Sequence, residues 1–252
     1  MYYFLLFAFL FMFGCTVGWV IEFFFRRFFS SSNPERRWIN PGFLTGPALP
    51  LYGTGICALW LMSSLEPFIP IESPLWRQGT LFILMALAMT LIEYMAGLLS
   101  TRVFHVQLWD YSNCWGNIQG IICPLFTLFW GILGAGYYYL VHPFLNRLLG
   151  FLMGDTAVVA GYAFLMGLYY GVFLLDLIHS SRVLGRIRRF AQENQITVRY
   201  EELRARIRSR KIAERIKLSF LFDMWSEHPL HVHLQEYLQA QKEKRKGGGF
   251  ME

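Results

Sequence analysis

Charge is scarce in the first 180 residues of this 252-residue chain. That part contains seven Arg, no Lys and eight acidic residues, so its net charge is −1. Soluble domains carry charge on roughly a quarter of their residues, whereas this chain is 16% charged and 55% hydrophobic. The composition therefore excludes a soluble body for residues 1–180 and indicates a body embedded in a membrane.

Sequence signals for disulfide, metal and nucleotide chemistry are missing as well. The chain has four cysteines, Cys15, Cys57, Cys114 and Cys123. None of them has CxxC or CxxH spacing, which argues against a disulfide framework and against a zinc site. The histidines between residues 228 and 233 have no Cys or paired acid at ligand spacing. The GxxxxGK[ST] nucleotide-binding motif does not occur. We therefore predict no metal site and no cofactor in this chain.

Long apolar runs are present instead. A helix needs about 20 mainly apolar residues to cross a bilayer. Five stretches meet this requirement, at about residues 2–25, 44–64, 79–101, 117–140 and 156–178. The sequence therefore predicts an all-α membrane protein with about five transmembrane helices. Gly14 and Gly18 in the first run have the spacing that lets two membrane helices approach closely.

Loop charges predict the orientation of these helices, because Arg and Lys are enriched in cytoplasmic loops. The first loop carries Arg26, Arg27, Arg36 and Arg37. The second loop carries Glu66 and Glu72, with Arg77 as its one basic residue, and the third loop carries Arg102. With five helices, this pattern places the N-terminus outside and the C-terminus in the cytoplasm.

Residues 181–252 are predicted to form a basic cytoplasmic tail after a transmembrane domain of residues 1–180. The tail contains 16 Lys and Arg against nine acids, a net charge of +7. About residues 197–222 mix Ile and Leu with many Arg and Lys, which predicts a basic amphipathic helix, and the end is predicted to be disordered. The helix would pack on its own protein or bind anionic lipid at the membrane surface. Because the tail follows a membrane segment directly, lipid fits better than nucleic acid.

Acidic residues in the apolar runs are functional candidates, because ionisable groups are costly in a membrane. Glu22 precedes Arg26 by one helical turn, the favourable order for an ion pair. Glu93 lies about 13 Å along a helix from Arg102, too far for direct pairing. Glu93 therefore needs a partner from another helix, a proton or an aqueous cavity. Asp176 resembles Glu22 in its position near the end of a run.

Two segments rich in helix breakers precede the second and fourth runs. Residues 40–55 contain three Pro and four Gly, and residues 109–124 include Trp109-Asp110-Tyr111 and Asn117. Such segments cannot form a regular first helical turn. They are either ordinary surface loops or segments inserted partly into the membrane, where protein or a cavity must satisfy the backbone. We favour partial insertion.

The first two runs and the next two share a pattern. The matched positions are Glu22 and Glu93, Asn40 and Asn117, Pro47 and Pro124, and Tyr52-Gly53 and Trp130-Gly131. Each Asn precedes its Pro by seven residues. Because both pairs of helices would run in the same sense, we predict a parallel repeat about an axis along the membrane normal. Transporters often place their binding site at the interface of such repeats.

Motifs across about residues 14–135 are shared with a known family. They are Gly18-Trp19 with Glu22, Asn40, Gly42-Phe43-Leu44, Gly46-Pro47, Pro50-Leu-Tyr52-Gly53, Glu93-Tyr94 with Gly97, Trp109-Asp110-Tyr111, Asn117, Gly120, Cys123 and Trp130-Gly131. Together they resemble the putative ABC-transporter type IV (CmpB-like) family of bacterial integral membrane proteins. The resemblance implies a multi-pass, permease-like protein of the bacterial cytoplasmic (inner) membrane. Any ATPase would then be a separate subunit, since this chain lacks the nucleotide-binding motif.

The sequence is compatible with three functions. The first is a transport component with a cytoplasm-facing polar pocket. Its predicted lining is Glu22, Arg26, Asn40, Gly42, Gly46, Tyr52, Glu93, Tyr94, Trp109, Asp110, Tyr111 and Asn117. The second is a membrane enzyme acting on lipid or polyprenyl head groups, with Glu93 or Asp110 as general base and first-loop Arg holding phosphate. The third is an assembly or regulatory subunit. The lack of a catalytic signature favours a protein that is not an enzyme.

Overall fold

The computed structural model describes residues 2–30, 33, 36–152, 154–200, 202–203 and 230–247. In these residues the chain forms seven α-helices. They are α1 (Tyr2–Phe28), α2 (Pro50–Leu65), α3 (Pro74–Leu98), α4 (Pro124–Gly136), α5 (His142–Leu152), α6 (Thr156–Glu193) and α7 (Leu230–Gly247). Wider π-helical turns follow α3 at Leu99–Val103 and join α4 to α5 at Tyr137–Val141. Two short strands, β1 (Val106–Gln107) and β2 (Val198–Arg199), are present as well.

Among the residues that the structure describes, four helical segments are long and apolar enough to cross a membrane. They are Tyr3–Phe28, Pro74–Val103, Pro124–Leu152 and Thr156–Glu193. The prediction of an all-α, multi-pass membrane protein is therefore confirmed. Helix α2 has 16 residues, so it is about 24 Å long, shorter than the roughly 30 Å hydrocarbon core. The predicted count of five crossings and the predicted orientation both depend on α2, and they stay predictions.

Proline marks the first residue of three helices, Pro50 of α2, Pro74 of α3 and Pro124 of α4. Proline suits this place because its fixed φ is helical and its missing N–H has no partner to lose there. The second predicted run, about residues 44–64, therefore starts as non-helical chain and becomes α2 only at Pro50. The fourth run likewise becomes α4 at Pro124.

The first compact unit comprises Met1–Leu98 and Asp110–Ser180. Helices α1 and α2 approach closely in it, as the spacing of Gly14 and Gly18 predicts. A Cβ atom added to Gly18 would lie 2.2 Å from Cβ of Tyr52, and one added to Gly53 would lie 2.5 Å from Sγ of Cys15. Side chains on either helix at these points would force the two backbones apart.

The apolar core of this unit joins α1 to the helices that follow. Leu10 of α1, Met85 of α3 and Tyr137 beyond α4 are buried in one cluster. Helix α6 is attached to α1 by two hydrogen bonds, since the hydroxyl of Tyr162 donates to the carbonyl of Leu5 and that of Tyr170 donates to the carbonyl of Ala8. The helices thus enclose a core in which a polar side chain is shielded from lipid.

The second compact unit comprises Leu99–Trp109 and Ser181–Glu252. In its described residues, β1 pairs in parallel with β2, with Val106 opposite Val198. Both valines are buried with Ile187 of α6 and Tyr237 of α7. Helix α6 runs without a break through the predicted domain boundary at residue 180.

The tail differs from its predicted structure at both ends. Val198–Arg199, within the predicted helix over about residues 197–222, form β2. Residues 204–222 of that predicted helix lie outside the described residues. Residues 242–247, part of the end predicted to be disordered, continue α7. Helix α7 has a physical basis, because Leu234 and Tyr237, three residues apart, are both buried.

Candidate functional site

Glu93 lies on the buried face of α3. The buried residues of this helix are Leu81, Met85, Met89, Glu93 and Gly97. They recur every four residues, which is the spacing of one helix face. Only 3% of Glu93 is exposed. The acid therefore faces neighbouring helices and is shielded from lipid.

Both carboxylate oxygens of Glu93 accept a hydrogen bond from a neutral aromatic side chain. Oε1 accepts from the hydroxyl of Tyr111 at 3.0 Å, and Oε2 accepts from Nε1 of Trp130 at 3.0 Å. Among the described residues, no Lys, Arg or His forms an ion pair with Glu93. The ring of Tyr111 stacks on Phe126 of α4 with centroids 4.2 Å apart. Helix α4 thus contributes one donor directly and holds the other in place.

Tyr111 keeps its proton in this setting. Burial, followed by the negative charge of Glu93, raises the pKa of the Tyr111 hydroxyl well above its ordinary value. The hydroxyl is therefore neutral at physiological pH and available as a hydrogen-bond donor. Tyr111 comes from the loop before α4, so this loop closes one side of the Glu93 site.

Glu22 has a different set of partners. Its Oε1 accepts a hydrogen bond from Nε of Arg26 at 3.1 Å, the ion pair that the sequence predicts. Its Oε2 accepts from the hydroxyl of Tyr52 in α2 at 3.0 Å. The negative charge of Glu22 is therefore balanced by a cation, whereas the partners of Glu93 are neutral.

An aromatic pair joins the two acids. The rings of Tyr52 and Trp130 meet edge to face, with centroids 5.9 Å apart and planes at 61°. Tyr52 and Trp130 are matched positions in the sequence pattern, and each donates to the matched acid, Glu22 or Glu93. The structure thus brings Glu22, Arg26, Tyr52, Glu93 and Tyr111 into one connected cluster, which we call the paired-acid cluster, together with Trp130. Trp130 is not among the predicted pocket residues, although its match to Tyr52 in the sequence pattern indicates the same role.

Asn40 shapes the loop before α2. Its Oδ1 accepts from Nε1 of Trp19 at 2.8 Å and from the backbone N–H of Gly42 at 3.2 Å. Its Nδ2 donates to the carbonyls of Leu44 and Thr45 at 2.9 and 3.0 Å. All four hydrogen-bonding positions of the amide are therefore used within the protein. The structure places Asn40 as a fixed support of the loop.

Asn117 has a matching role in the loop before α4. Its Nδ2 donates to the carbonyls of Ser112 and Cys114, and its Oδ1 accepts from the backbone N–H of Gly120. Gly120 has φ +67°, a conformation that favours glycine. The two asparagines thus hold equivalent loops, each at the entrance of a helix that supplies an aromatic donor to the paired-acid cluster.

Asp176 lies outside the predicted pocket and binds the loop before α2. Its Oδ1 and Oδ2 accept from the backbone N–H groups of Thr45 and Gly46 at 3.0 and 2.8 Å, and the hydroxyl of Ser180 donates to Oδ1. A Cβ atom on Gly46 would lie 3.1 Å from Oδ2 of Asp176, so glycine permits this approach. A signal was available, because a non-helical segment at membrane depth needs acceptors for its N–H groups.

The other predicted pocket residues take different places. Asp110 is exposed and accepts hydrogen bonds from the backbone N–H and hydroxyl of Ser112. Tyr94 follows Glu93 on α3 and therefore points from another face of the helix. Gly42 is buried in the loop before α2. Trp109 belongs to the second compact unit.

An apolar groove of about 670 Å³ lies beside α3 and α4. Its lining includes Phe82, Ala86, Ile122, Pro124, Thr127 and Gly131. Neither Glu22 nor Glu93 lines it, and neither do the aromatic groups that donate to them. The groove and the paired-acid cluster are therefore separate features of the first unit.

Comparison with known proteins gives one match. The model of a family described as "Putative ABC-transporter type IV" matches residues 9–181, which include the whole of the paired-acid cluster. Neither the curated proteins nor the solved structures contain a match.

Proposed function

The chain belongs to the "Putative ABC-transporter type IV" family, and from this premise we propose that it is the membrane-embedded, permease-like subunit of a transport system. The observation that carries the proposal is the paired-acid cluster. Two acids at matched positions, Glu22 and Glu93, lie in apolar helices on either side of one aromatic contact. Ionisable groups inside membrane helices mark substrate and ion pathways by default.

The position of the cluster supports a role in transport. Transporters built from repeats place their site where the repeats meet. Here Tyr52 comes from the first pair of helices and Trp130 from the second, and their rings are in contact. Glu22 from the first pair of helices accepts a hydrogen bond from Tyr52, and Glu93 from the second pair accepts one from Trp130. A purely structural ion pair would need only Glu22 and Arg26. It would not need the neutral donors that Tyr111 and Trp130 provide to Glu93.

We place this subunit in the bacterial cytoplasmic (inner) membrane, with the paired-acid cluster towards the cytoplasm. Arg26 and Arg27 end α1 near Glu22, and cytoplasmic loops are enriched in Arg. The ATPase would be a separate subunit, because this chain has no nucleotide-binding motif. The basic tail would lie near anionic lipid, whose negative surface attracts Lys and Arg.

The experiment is purification of the tagged full chain from its native host in mild detergent. We expect an ABC-type ATPase to copurify, and its ATP hydrolysis in nanodiscs to fall several-fold with Glu93→Gln. Glu66→Gln is the matched control, because Glu66 also bonds to an Arg and a Tyr, Arg77 and Tyr138, but lies outside the cluster. If no ATPase copurifies, or if Glu93→Gln and Glu66→Gln lower ATP hydrolysis equally, the proposal is contradicted.

A lipid-directed function is the second candidate, and the apolar groove favours it. Its lining is almost wholly apolar, as a site for an acyl chain requires, and includes loop residues between Gly116 and Cys123. Mass spectrometry of the purified protein would distinguish the two functions. A stoichiometric phospholipid or polyprenyl phosphate whose retention is lost with Gly131→Leu would favour the second candidate.

A further inference from the structure

The two matched acids differ in the kind of donor that each oxygen meets. Glu22 accepts from the guanidinium of Arg26, which is always charged, and from Tyr52. Glu93 accepts from the indole N–H of Trp130 and from Tyr111. Both acids therefore have one donor that cannot accept and one tyrosine that can do either. The difference is the cation, which is present beside Glu22 and has no counterpart among the described residues that contact Glu93.

This donor set defines where Glu93 can hold a proton. The indole N–H of Trp130 can only donate, so Oε2 of Glu93 must remain an acceptor. The hydroxyl of Tyr111 can donate to a carboxylate or accept from a carboxylic acid. The bond between Oε1 and Tyr111 therefore survives in both protonation states, with only its direction reversed. Oε1 of Glu93 can therefore gain and lose a proton without loss of its hydrogen bond to Tyr111.

We propose that Glu93 is the proton-binding site of this protein, taking up and releasing a proton at Oε1 through Tyr111, while Glu22 stays an anion paired with Arg26. The inference rests on the proposed transport function and names its coupling ion. In the uptake step the proton of the Tyr111 hydroxyl moves to Oε1, and the phenol oxygen takes a replacement proton from solvent. Tyr111 is neutral before and after the step, and the cluster gains one proton.

The contacts favour a proton over larger cations. Metal cations such as Mg²⁺ and Ca²⁺ take about six or more oxygen ligands. Around Glu93, the bonded partners supply one oxygen, from Tyr111, and an N–H that would repel a cation. With 3% of the residue exposed, an organic cation has no direct access to the carboxylate. A proton needs neither additional ligands nor space.

The charged and titratable groups that face Glu93 support both protonation states. They are Tyr111 from the loop, Glu22 from α1 and Tyr52 from α2. The hydroxyl of Tyr111 can bond to Glu93 in either state, because it can donate or accept, and the indole N–H of Trp130 can donate to Oε2 in both. Glu22 differs in that one of its oxygens accepts a hydrogen bond from the cation of Arg26. The pattern thus divides the matched acids into one that exchanges a proton and one that does not.

Infrared difference spectroscopy of the full chain in nanodiscs, between mildly acidic and mildly alkaline buffer, tests this division. A protonated carboxylic acid has a carbonyl stretch that a carboxylate lacks. We expect a titrating carbonyl band that is lost with Glu93→Gln and kept with Glu22→Gln. In Tyr111→Phe the band should persist and shift to higher frequency, because the acid loses its hydrogen-bond partner. Tyr111→Phe keeps the test informative if Glu93→Gln does not fold.

The outcomes separate this inference from the transport proposal. A titrating band that disappears with Glu22→Gln, or a band that is unmoved by both Glu93→Gln and Tyr111→Phe, would overturn the inference. So would a wild-type spectrum with no titrating band. If an ATPase copurifies and Glu93→Gln slows it while no band titrates, then the transport function stands and proton binding at Glu93 does not.

Discussion

At the scale of single residues, the partners of a buried acid decide its chemistry more than its position in the sequence does. Glu22 and Glu93 are preceded by Ile and followed by an aromatic residue in the same way. Their surroundings differ, because Arg26 lies one turn beyond Glu22, whereas the residue one turn beyond Glu93 is Gly97. The cation at Glu22 follows from sequence spacing alone. The donors of Glu93 come from 18 and 37 residues away, so only the fold reveals them.

The first residue-scale prediction concerns Trp130. Trp130→Phe removes the donor to Oε2 of Glu93 and keeps an aromatic ring against Tyr52. We expect a loss of about 1–3 kcal/mol in stability, because a buried acceptor is left without its partner. Thermal unfolding in detergent measures it. The matched control is Trp115→Phe, since Trp115 is 87% exposed and the change there should have no measurable effect. Equal effects of the two substitutions would show that the hydrogen bond is unimportant.

A second residue-scale prediction concerns Asp176. Asp176→Asn replaces one acceptor oxygen by an NH₂ group and weakens the bonds from Thr45 and Gly46. Hydrogen exchange of these two amides should accelerate about tenfold or more, since hydrogen bonds to charged groups contribute roughly 1.5–3 kcal/mol. Asp155→Asn is the control, because Asp155 accepts from Ala157 and Val158 at the start of α6. In Asp155→Asn the amides of Ala157 and Val158 should exchange faster, whereas those of Thr45 and Gly46 should be unchanged. If the Thr45 and Gly46 amides exchange faster in both variants, the bonds of Asp176 are not specific to its loop.

At the scale of helices, the apolar pattern predicts which segments are helical better than where they begin. The runs that form α1, α3 and α6 are recognisable, because a stretch of about 20 apolar residues in a bilayer can form little other than a helix. The start of α2 at Pro50 depends on hydrogen bonds that Asn40 and Asp176 make to the preceding loop. The repeat in the sequence indicates Asn40 as a candidate. That its amide makes all four of its hydrogen bonds within the protein follows only from the fold. The role of Asp176 required knowledge of which helix lies beside that loop.

The helix-scale prediction concerns the approach of α1 to α2. Gly18→Ala places a Cβ atom 2.2 Å from Tyr52, so either the helices separate or Tyr52 moves away from Glu22. Such overpacking costs typically 1–3 kcal/mol, which the unfolding temperature in detergent would report. Gly167→Ala is the control in α6, because a Cβ atom there meets nothing within 4 Å. Equal behaviour of the two variants would mean that α1 and α2 are not held at this distance.

At the scale of the whole molecule, charge divides the chain into an almost neutral membrane part and a basic tail. The all-α membrane class follows from composition, and the family match over residues 9–181 agrees with it. The strand pair of β1 and β2 could not be predicted, because it joins segments about 90 residues apart through two residues each. Strands of two residues are too short to produce a recognisable periodic pattern in the sequence. The number of crossings is equally hard to predict from hydropathy, since α2 is apolar but only 16 residues long.

The last prediction therefore tests the orientation directly. In a variant with the four native cysteines replaced by alanine, Ser73→Cys should be labelled by an impermeant thiol reagent in intact cells, and Asn113→Cys should be labelled only after the membrane is opened. Both residues are exposed, so a difference in labelling reflects the side of the membrane. The physical reason is that the loop of Ser73 carries two acids and the first and third loops carry Arg, which is enriched on the cytoplasmic side. The reverse labelling would invert the proposed orientation, and labelling of both positions in intact cells would mean that α3 does not separate the two loops across the membrane.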